Sequence, residues 1–284
     1  MLMKKTPSLL TPRLLVALIC GLMLAGCTSG LGLKGNKDEG LKLARLLRDQ
    51  GRLEAASEVY ARLDARGKLS GAEMLEYATV GATVDRPAEA LALYTRARNA
   101  LGGNIDKMAD TEALALCVGM GRAELALGRL STAGKDFDCA LRRDANNATA
   151  LNGLGVIKDA EGHHEEARRR FEQALQSEPG NVAVINNLAL SWLSSGQADR
   201  AIAQLRSVDL NNTSVRLNLA LAYLYTGDET AARDTLSPLA APDRIDGVIA
   251  ALTTRVDELK QKSGTGNALL LASTHLISLG DSAQ

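Results

Sequence analysis

The chain has 284 residues, with 33 basic (Lys, Arg) and 33 acidic (Asp, Glu) side chains, so no net field steers it toward nucleic acid or anionic lipid. Aromatic residues make up only 3%, while alanine, leucine and glycine are abundant, which suits close helix packing and argues against a β-sandwich. The length allows one large domain or two ordinary ones. At the N-terminus Lys4, Lys5 and Arg13 lead into an apolar run of 11 residues, Leu14 to Leu24. A helix needs about 20 residues to cross a bilayer core of about 30 Å. The run is too short for that and fits the apolar region of a secretory signal.

The run closes on Leu24-Ala25-Gly26-Cys27, which resembles the lipobox of bacterial lipoproteins. The resemblance implies cleavage before Cys27, acylation of its thiol and anchoring by lipid, since more than one acyl chain makes attachment lasting. The other reading is an ordinary cleaved signal with an incidental cysteine. Thr28 stands where an aspartate would favour the inner membrane, so the expected location is the periplasmic side of the outer membrane. Residues 28–36 carry three glycines and a serine and read as a flexible tether. They also spell Gly30-x-Gly32-x2-Gly35, but no strand precedes it, so the context of a dinucleotide-binding turn is missing.

The most informative stretch is Ala148 to Asn181, with Leu151, Leu154, Gly155 and Lys158, then Ala167, Phe171, Ala174 and Pro179. Gly155 and Ala167 are small where two antiparallel helices must approach. Leu154, Phe171 and Ala174 fill the seam, and Pro179 ends the second helix. This spacing resembles the tetratricopeptide repeat, with Leu151 and Lys158 at two positions that are usually aromatic. One such helix pair cannot bury its apolar face alone. Laying the pattern along the chain finds six units in residues 37–246, beginning at Lys37, Gly71, Leu114, Ala148, Val182 and Thr213. Gly51, Gly128, Gly162, Gly196 and Gly227 fall at the turns between paired helices, where a left-handed backbone favours glycine. The second unit has Asp85 there, which also tolerates that conformation. The expected fold is all-α: a right-handed superhelical solenoid of tetratricopeptide type with C-terminal capping helices.

The period breaks twice. About nine residues around Ile105–Thr111 are inserted before the third unit, and the fifth unit is shortened around Asp209–Asn212. Local changes in superhelix curvature are expected at both places. In residues 247–284 the pattern fades into a cap and tail. Ile245, Val248, Ile249, Leu252, Val256 and Leu259 mark one helix, begun near Asp243, and Ala268 to Leu279 a shorter one.

Chemistry-bearing motifs are sparse. No P-loop, His-Glu-x-x-His or Gly-x-Ser-x-Gly occurs. His163 and His164 fall in a turn where solvated side chains belong, and His275 lies in the terminal segment. The sequence implies no enzyme, cofactor or metal. Cys117 and Cys139 sit on the two helices of the third unit. They read either as a disulfide, permitted in an oxidising compartment, or as two buried thiols.

The clearest binding candidates are asparagines. Asn152, Asn186, Asn187 and Asn218 take the fifth or sixth place of first helices in units four to six. In tetratricopeptide arrays that face lines the inner groove. A side-chain amide both donates and accepts, so a row of them can pair with an extended peptide backbone. Val156, Leu190, Leu221 and Tyr225 follow on the same face and would supply apolar pockets. An asparagine at any one of these places can instead cap or bridge within the array; the ladder across three units favours the groove. Lys42, Arg45 and Arg48 line the first unit, either as a solvated face or as a receiver for an acidic segment.

A narrower resemblance lies at Leu151-Asn152-Gly153-Leu154-Gly155-Val156, Asn186-Asn187-Leu188-Ala189-Leu190-Ser191 and Val215-Arg216-Leu217-Asn218-Leu219-Ala220-Leu221-Ala222. With the lipobox and the short fifth unit, these segments resemble the TadD lipoproteins of tight-adherence (Flp) pilus loci. The resemblance implies an accessory of pilus secretion, a pilotin or assembly factor. It would be anchored through Cys27 and bind an extended segment of a secretin or pilus subunit, with no role for nucleic acid. Another lipoprotein adaptor, such as a type IV pilus pilotin or a scaffold for peptidoglycan hydrolases, is the alternative.

Overall fold

A computed structural model describes residues 36–261, and among these every regular element is helical. The helices come in pairs. They are α1 (Lys37–Asp49) with α2 (Leu53–Asp64), α3 (Gly71–Val84) with α4 (Pro87–Ala100), and α5 (Asp110–Ala126) with α6 (Leu130–Arg143). Then follow α7 (Ala148–Ala160) with α8 (His164–Ser177), α9 (Val182–Ser194) with α10 (Ala198–Arg206), and α11 (Thr213–Thr226) with α12 (Glu229–Leu236). A single longer helix, α13 (Pro242–Gln261), packs on α11 and α12. The signal segment, Cys27, the tether up to residue 35 and the expected helix Ala268–Leu279 with His275 lie outside the described residues.

Each pair closes around small residues. A Cβ on Gly155 would lie 2.4 Å from the Phe171 ring, so this contact requires glycine. Phe171, Ala167 and Ala174 are wholly buried behind it. Gly153, which the repeat pattern does not mark, is as crowded on its other side: a Cβ there would lie 2.2 Å from the Phe137 ring of the preceding unit. Phe137 is thus gripped by two successive first helices. The buried apolar side chains form three adjoining clusters, running from Leu41 to Met120, from Cys117 to Ile157, and from Ala148 to Val256.

Two expectations of the repeat pattern need correction. The third unit begins at Asp110, not Leu114. Its first helix has 17 residues because the insert winds one further turn onto the repeat. Only a short 3-10 turn, Ile105–Lys107, is left of the connection, and Asn104 caps it by accepting from the Asp106 amide. Arg143 holds this ledge, donating to Asp110 at 2.9 Å and to the Ile105 carbonyl at 3.3 Å. The second correction is Asp85. The turn glycines are left-handed (Gly162 at φ 84°), but Asp85 is extended at φ −89°, ψ 164°. Pro87 opens α4 and bars Arg86 from a helical conformation, so this link is extended instead of coiled. The fifth unit is short because α10 has only nine residues.

Consecutive units also touch through their first helices: α3 with α5, α5 with α7, α7 with α9, and α9 with α11. Second helices of neighbouring units stand further apart. The first helices therefore form the inner, concave wall. At the far end α13 takes the place of a further first helix. Ile245, Val248, Ile249, Leu252 and Val256 are buried against the stack, and polar or small residues face outward.

Candidate peptide-binding surface

The four asparagines lie on the concave wall, and they are paired with one another. Asn187 Nδ2 donates to Asn152 Oδ1 at 2.9 Å, and Asn218 Nδ2 donates to Asn186 Oδ1 at 3.1 Å. Each bond crosses from one unit to the next. The bridging role is therefore present, but it uses only part of each amide. An asparagine carries two donors and a carbonyl with two lone pairs. None of the remaining amide atoms is buried without a partner, and Asn152, Asn187 and Asn218 are half-buried, whereas Asn186 is buried at 8% exposure. The wall thus offers a neutral row of polar atoms spanning units four to six.

The apolar neighbours divide differently from expectation. Val156, Leu190 and Leu221 are 7%, 2% and 3% exposed and belong to the core beneath the wall, so they are not open pockets. The reason is the close approach of the first helices, which seals these positions between units. Tyr225 is only half-buried. Its ring lies under the Lys260 ammonium at 5.1 Å, and it borders an open cleft of about 520 Å³ at the α9–α10 turn.

Asp159, which the sequence puts on the same helix face as Val156, is the most deeply buried charge on this wall, at 1% exposure. Its Oδ1 accepts from Ser191 Oγ at 2.5 Å and lies 2.9 Å from His164 Nδ1. His164 is thus held in the seam and is not a solvated turn residue; it opens α8 beside the carboxylate. Ser191 addresses the aspartate and not the imidazole, and it is wholly buried, so this trio lacks the nucleophile–base contact of a hydrolase. It ties α7, α8 and α9 together. On the flank the guanidinium groups of Arg168 and Arg200 lie 4.2 Å and 4.5 Å from the centre of the Trp192 ring. Burial pulls the Arg168 pKa down.

In the first unit, the cations of the inner face are engaged within the array. Arg45 forms a bidentate pair with Glu76 at 2.8 and 2.7 Å, and the Tyr60 hydroxyl donates to the same carboxylate. The Arg45 guanidinium, with help from Tyr60, holds the Glu76 carboxyl below its ordinary pKa. Arg48 pairs with Asp49, and Lys42 is exposed. Arg45 is therefore not free to receive an acidic segment. In the third unit Cys117 and Cys139 are bonded to each other, with Cα atoms 5.8 Å apart, a separation that suits a disulfide. Among the described residues no cluster of three or more His, Cys, Asp or Glu is arranged to hold a metal, and no helix is long and apolar enough to cross a membrane.

Comparison with known proteins agrees with this architecture. Residues 160–213 match the tetratricopeptide repeat family model. The chain folds as a tetratricopeptide-repeat protein. The fold is shared with a tetratricopeptide repeat protein from Parabacteroides merdae, at a TM-score of 0.58 and 16% identity over 83% of this chain and 90% of that one. It is also shared with the Cut9–Hcn1 hetero-tetramer of the APC/C, at 0.59 and 16% over 88% and 46%. Among curated sequences, the cellulose synthase operon protein C of Komagataeibacter xylinus is 39% identical over 92 residues, 32% of this chain and 7% of that protein. The peroxisomal targeting signal receptor of Yarrowia lipolytica is 32% identical over 78 residues, 28% of this chain and 13% of the receptor. The tetratricopeptide-repeat chain thus spans a small fraction of these curated relatives. Tetratricopeptide arrays act as scaffolds for protein–protein interaction.

Proposed function

We propose that this chain is a non-enzymatic, lipid-anchored scaffold that captures an extended protein segment along the concave face of units four to six. The observation that carries the reading is the row Asn152, Asn187, Asn186 and Asn218, paired across units, of which Asn152, Asn187 and Asn218 are only half-buried and keep unengaged amide atoms. An extended backbone presents alternating donors and acceptors that such atoms can meet without a fixed side-chain sequence. The segments around these asparagines resemble TadD lipoproteins. The partner of this reading is therefore a secretin or another pilus-assembly subunit of a tight-adherence (Flp) system, acting at the periplasmic side of the outer membrane. The lipobox ending in Cys27 supplies the anchor, and the bonded Cys117–Cys139 pair is compatible with an oxidising compartment.

Two experiments test it. Cys27→Ala is expected to leave the repeats folded and release the protein from the membrane fraction; persistence in the outer membrane would refute the anchor. Replacing Asn187 and Asn218 together by alanine is expected to lower recovery of the partner from solubilised membranes with little change in melting. Undiminished capture would refute the groove. Recovery of a peptidoglycan hydrolase in place of a secretin would move the protein to a different adaptor class.

A further inference from the structure

A second hollow opens between units two and three, away from the asparagines. It measures about 120 Å³ and lies between α3, α4 and α5. Ala82, Tyr94, Ala123, Asp85 and Arg122 are among its lining residues.

Three departures from the repeat pattern converge on it. The first is the extended link before Pro87, which puts Asp85 where other units have a left-handed glycine. The second is Gly119, where a Cβ would lie 2.1 Å from Tyr94 Cζ; glycine alone lets the ring lie flat against α5. The third is Arg122, which is exposed and has no ion pair among the described residues. Asp85 likewise has no ion pair, so the two opposite charges share one hollow without neutralising each other. Burial and the neighbouring Glu89 charge raise the Asp85 carboxyl above its ordinary pKa, as expected of a carboxylate that no donor meets.

We propose that this hollow binds a small aliphatic residue of a peptide, with the side chain on the alanine walls and the backbone amide between Asp85 and Arg122. The guanidinium donates to the residue's carbonyl oxygen, and the carboxylate accepts from its N–H. The volume sets the size limit. A cavity of about 150 Å³ holds a benzene ring, so this smaller one admits the three or four side-chain carbons of valine or leucine and excludes phenylalanine. The reading rests on the chain being a peptide-binding scaffold, but it concerns different units from the asparagine row, so the two can fail separately.

The test uses the full chain and single capped residues, observed by saturation-transfer NMR on the ligand. N-acetyl-valine methylamide is expected to bind with a Kd of ~1 mM, ordinary for a ligand of about a dozen heavy atoms, with strongest transfer to its methyl groups. The glycine and phenylalanine analogues are expected to bind at least tenfold more weakly. Ala82→Leu fills the hollow and is expected to abolish the signal. Arg122→Gln, at an exposed position that leaves the fold intact by circular dichroism, is expected to weaken binding roughly threefold to tenfold. Equal binding of the phenylalanine analogue, or valine binding unchanged by Arg122→Gln, would overturn the proposal. So would absence of any transfer at ten times the expected Kd. Loss of valine binding in the Asn187→Ala/Asn218→Ala variant would also overturn it, because the probe would then be reporting the asparagine row.

Discussion

Between units one and two, the polar contacts that cross the seam are built on ion pairs. Lys37 meets Glu73 at 2.6 Å, Arg45 meets Glu76, and Arg96 meets Asp64 at 2.6 Å. Between units four, five and six none of the crossing bonds is an ion pair: two run amide to amide, and two join one charged group to a hydroxyl, Arg168 to Ser195 and Ser191 to Asp159. The one buried charge there, Asp159, is met by a hydroxyl and an imidazole. The first half spends its cations on its own stability, whereas the second half leaves polar capacity on its inner face. A scaffold that binds backbone needs the second arrangement, because a neutral wall does not select ligands by net charge.

The strongest way to break that contrast is to remove the packing on which the neutral half depends. Phe171 is wholly buried and sits against Gly155. Phe171→Ala is expected to cost about 3–5 kcal/mol, measured by denaturant unfolding. Repeat arrays are quasi-one-dimensional, so the loss should be local. Hydrogen exchange should speed up in units four to six and stay slow in units one and two. Uniform loss of protection would mean that the two halves are one cooperative block.

The next largest effect concerns the joint between the halves. Cys117 and Cys139 close a loop with a sequence separation of 22 residues. A cross-link of that span stabilises by about 3 kcal/mol in the chain-entropy description. Reductant is expected to lower stability by that order in the native protein and to do nothing in the Cys117→Ala/Cys139→Ala variant. Indifference of the native protein to reductant would show that the bond is not formed.

Asp136, in the same unit, opposes folding when it is charged. Its Oδ2 is buried with no partner, and burial, reinforced by Glu124, pushes its pKa up to about 6. The folded-state pKa is raised above the unfolded value of about 3.9. The protonated form is therefore the one the fold favours, and the penalty is absent below about pH 4. It grows between pH 4 and 6 and is complete above that range. Because the side chain is only half-buried, solvent screening reduces the cost to about 1–2 kcal/mol. Asp136→Asn is expected to stabilise by that amount at pH 7 and to be neutral near pH 4.

The helix pairs were legible because their spacing is dictated by contact: Gly155, Ala167, Phe171 and Ala174 must recur wherever two such helices meet. The true start of the third unit was hidden because the insert's last turn merges into α5, and no repeat landmark reports an added turn. Asp85 misled because the pattern names a turn position but not the effect of Pro87 two residues on. The asparagines recur at one place of successive first helices, but their pairing depends on the offset between units, which no single unit encodes. The same holds for Arg45 and Glu76, which lie 31 residues apart and meet only once the stack is built. Gly119 and Gly153 were missed for a related reason: the partner ring belongs to the preceding unit in each case.

The smallest effects sharpen the contrast most directly. Glu76→Gln keeps the shape but removes the charge that Arg45 and Tyr60 share, at an expected cost of about 1 kcal/mol for a bidentate, partly exposed pair. The Glu76 pKa is depressed in the fold, so this contribution is fully present above the unfolded value of about 4.3 and fades as pH falls below it. Salt should erode it as well, since half an exposed pair is open to screening at about 10 Å in 0.1 M salt. Replacing Asn187 and Asn218 by alanine should cost about 0.5–1 kcal/mol per lost bond, with no dependence on salt or pH, because the lost bonds are neutral. Melting curves at low and high salt separate the two cases. If the asparagine variant proved as salt-sensitive as Glu76→Gln, the inner wall of units four to six would carry charge that the amide pairing does not account for, and its selectivity would be electrostatic after all.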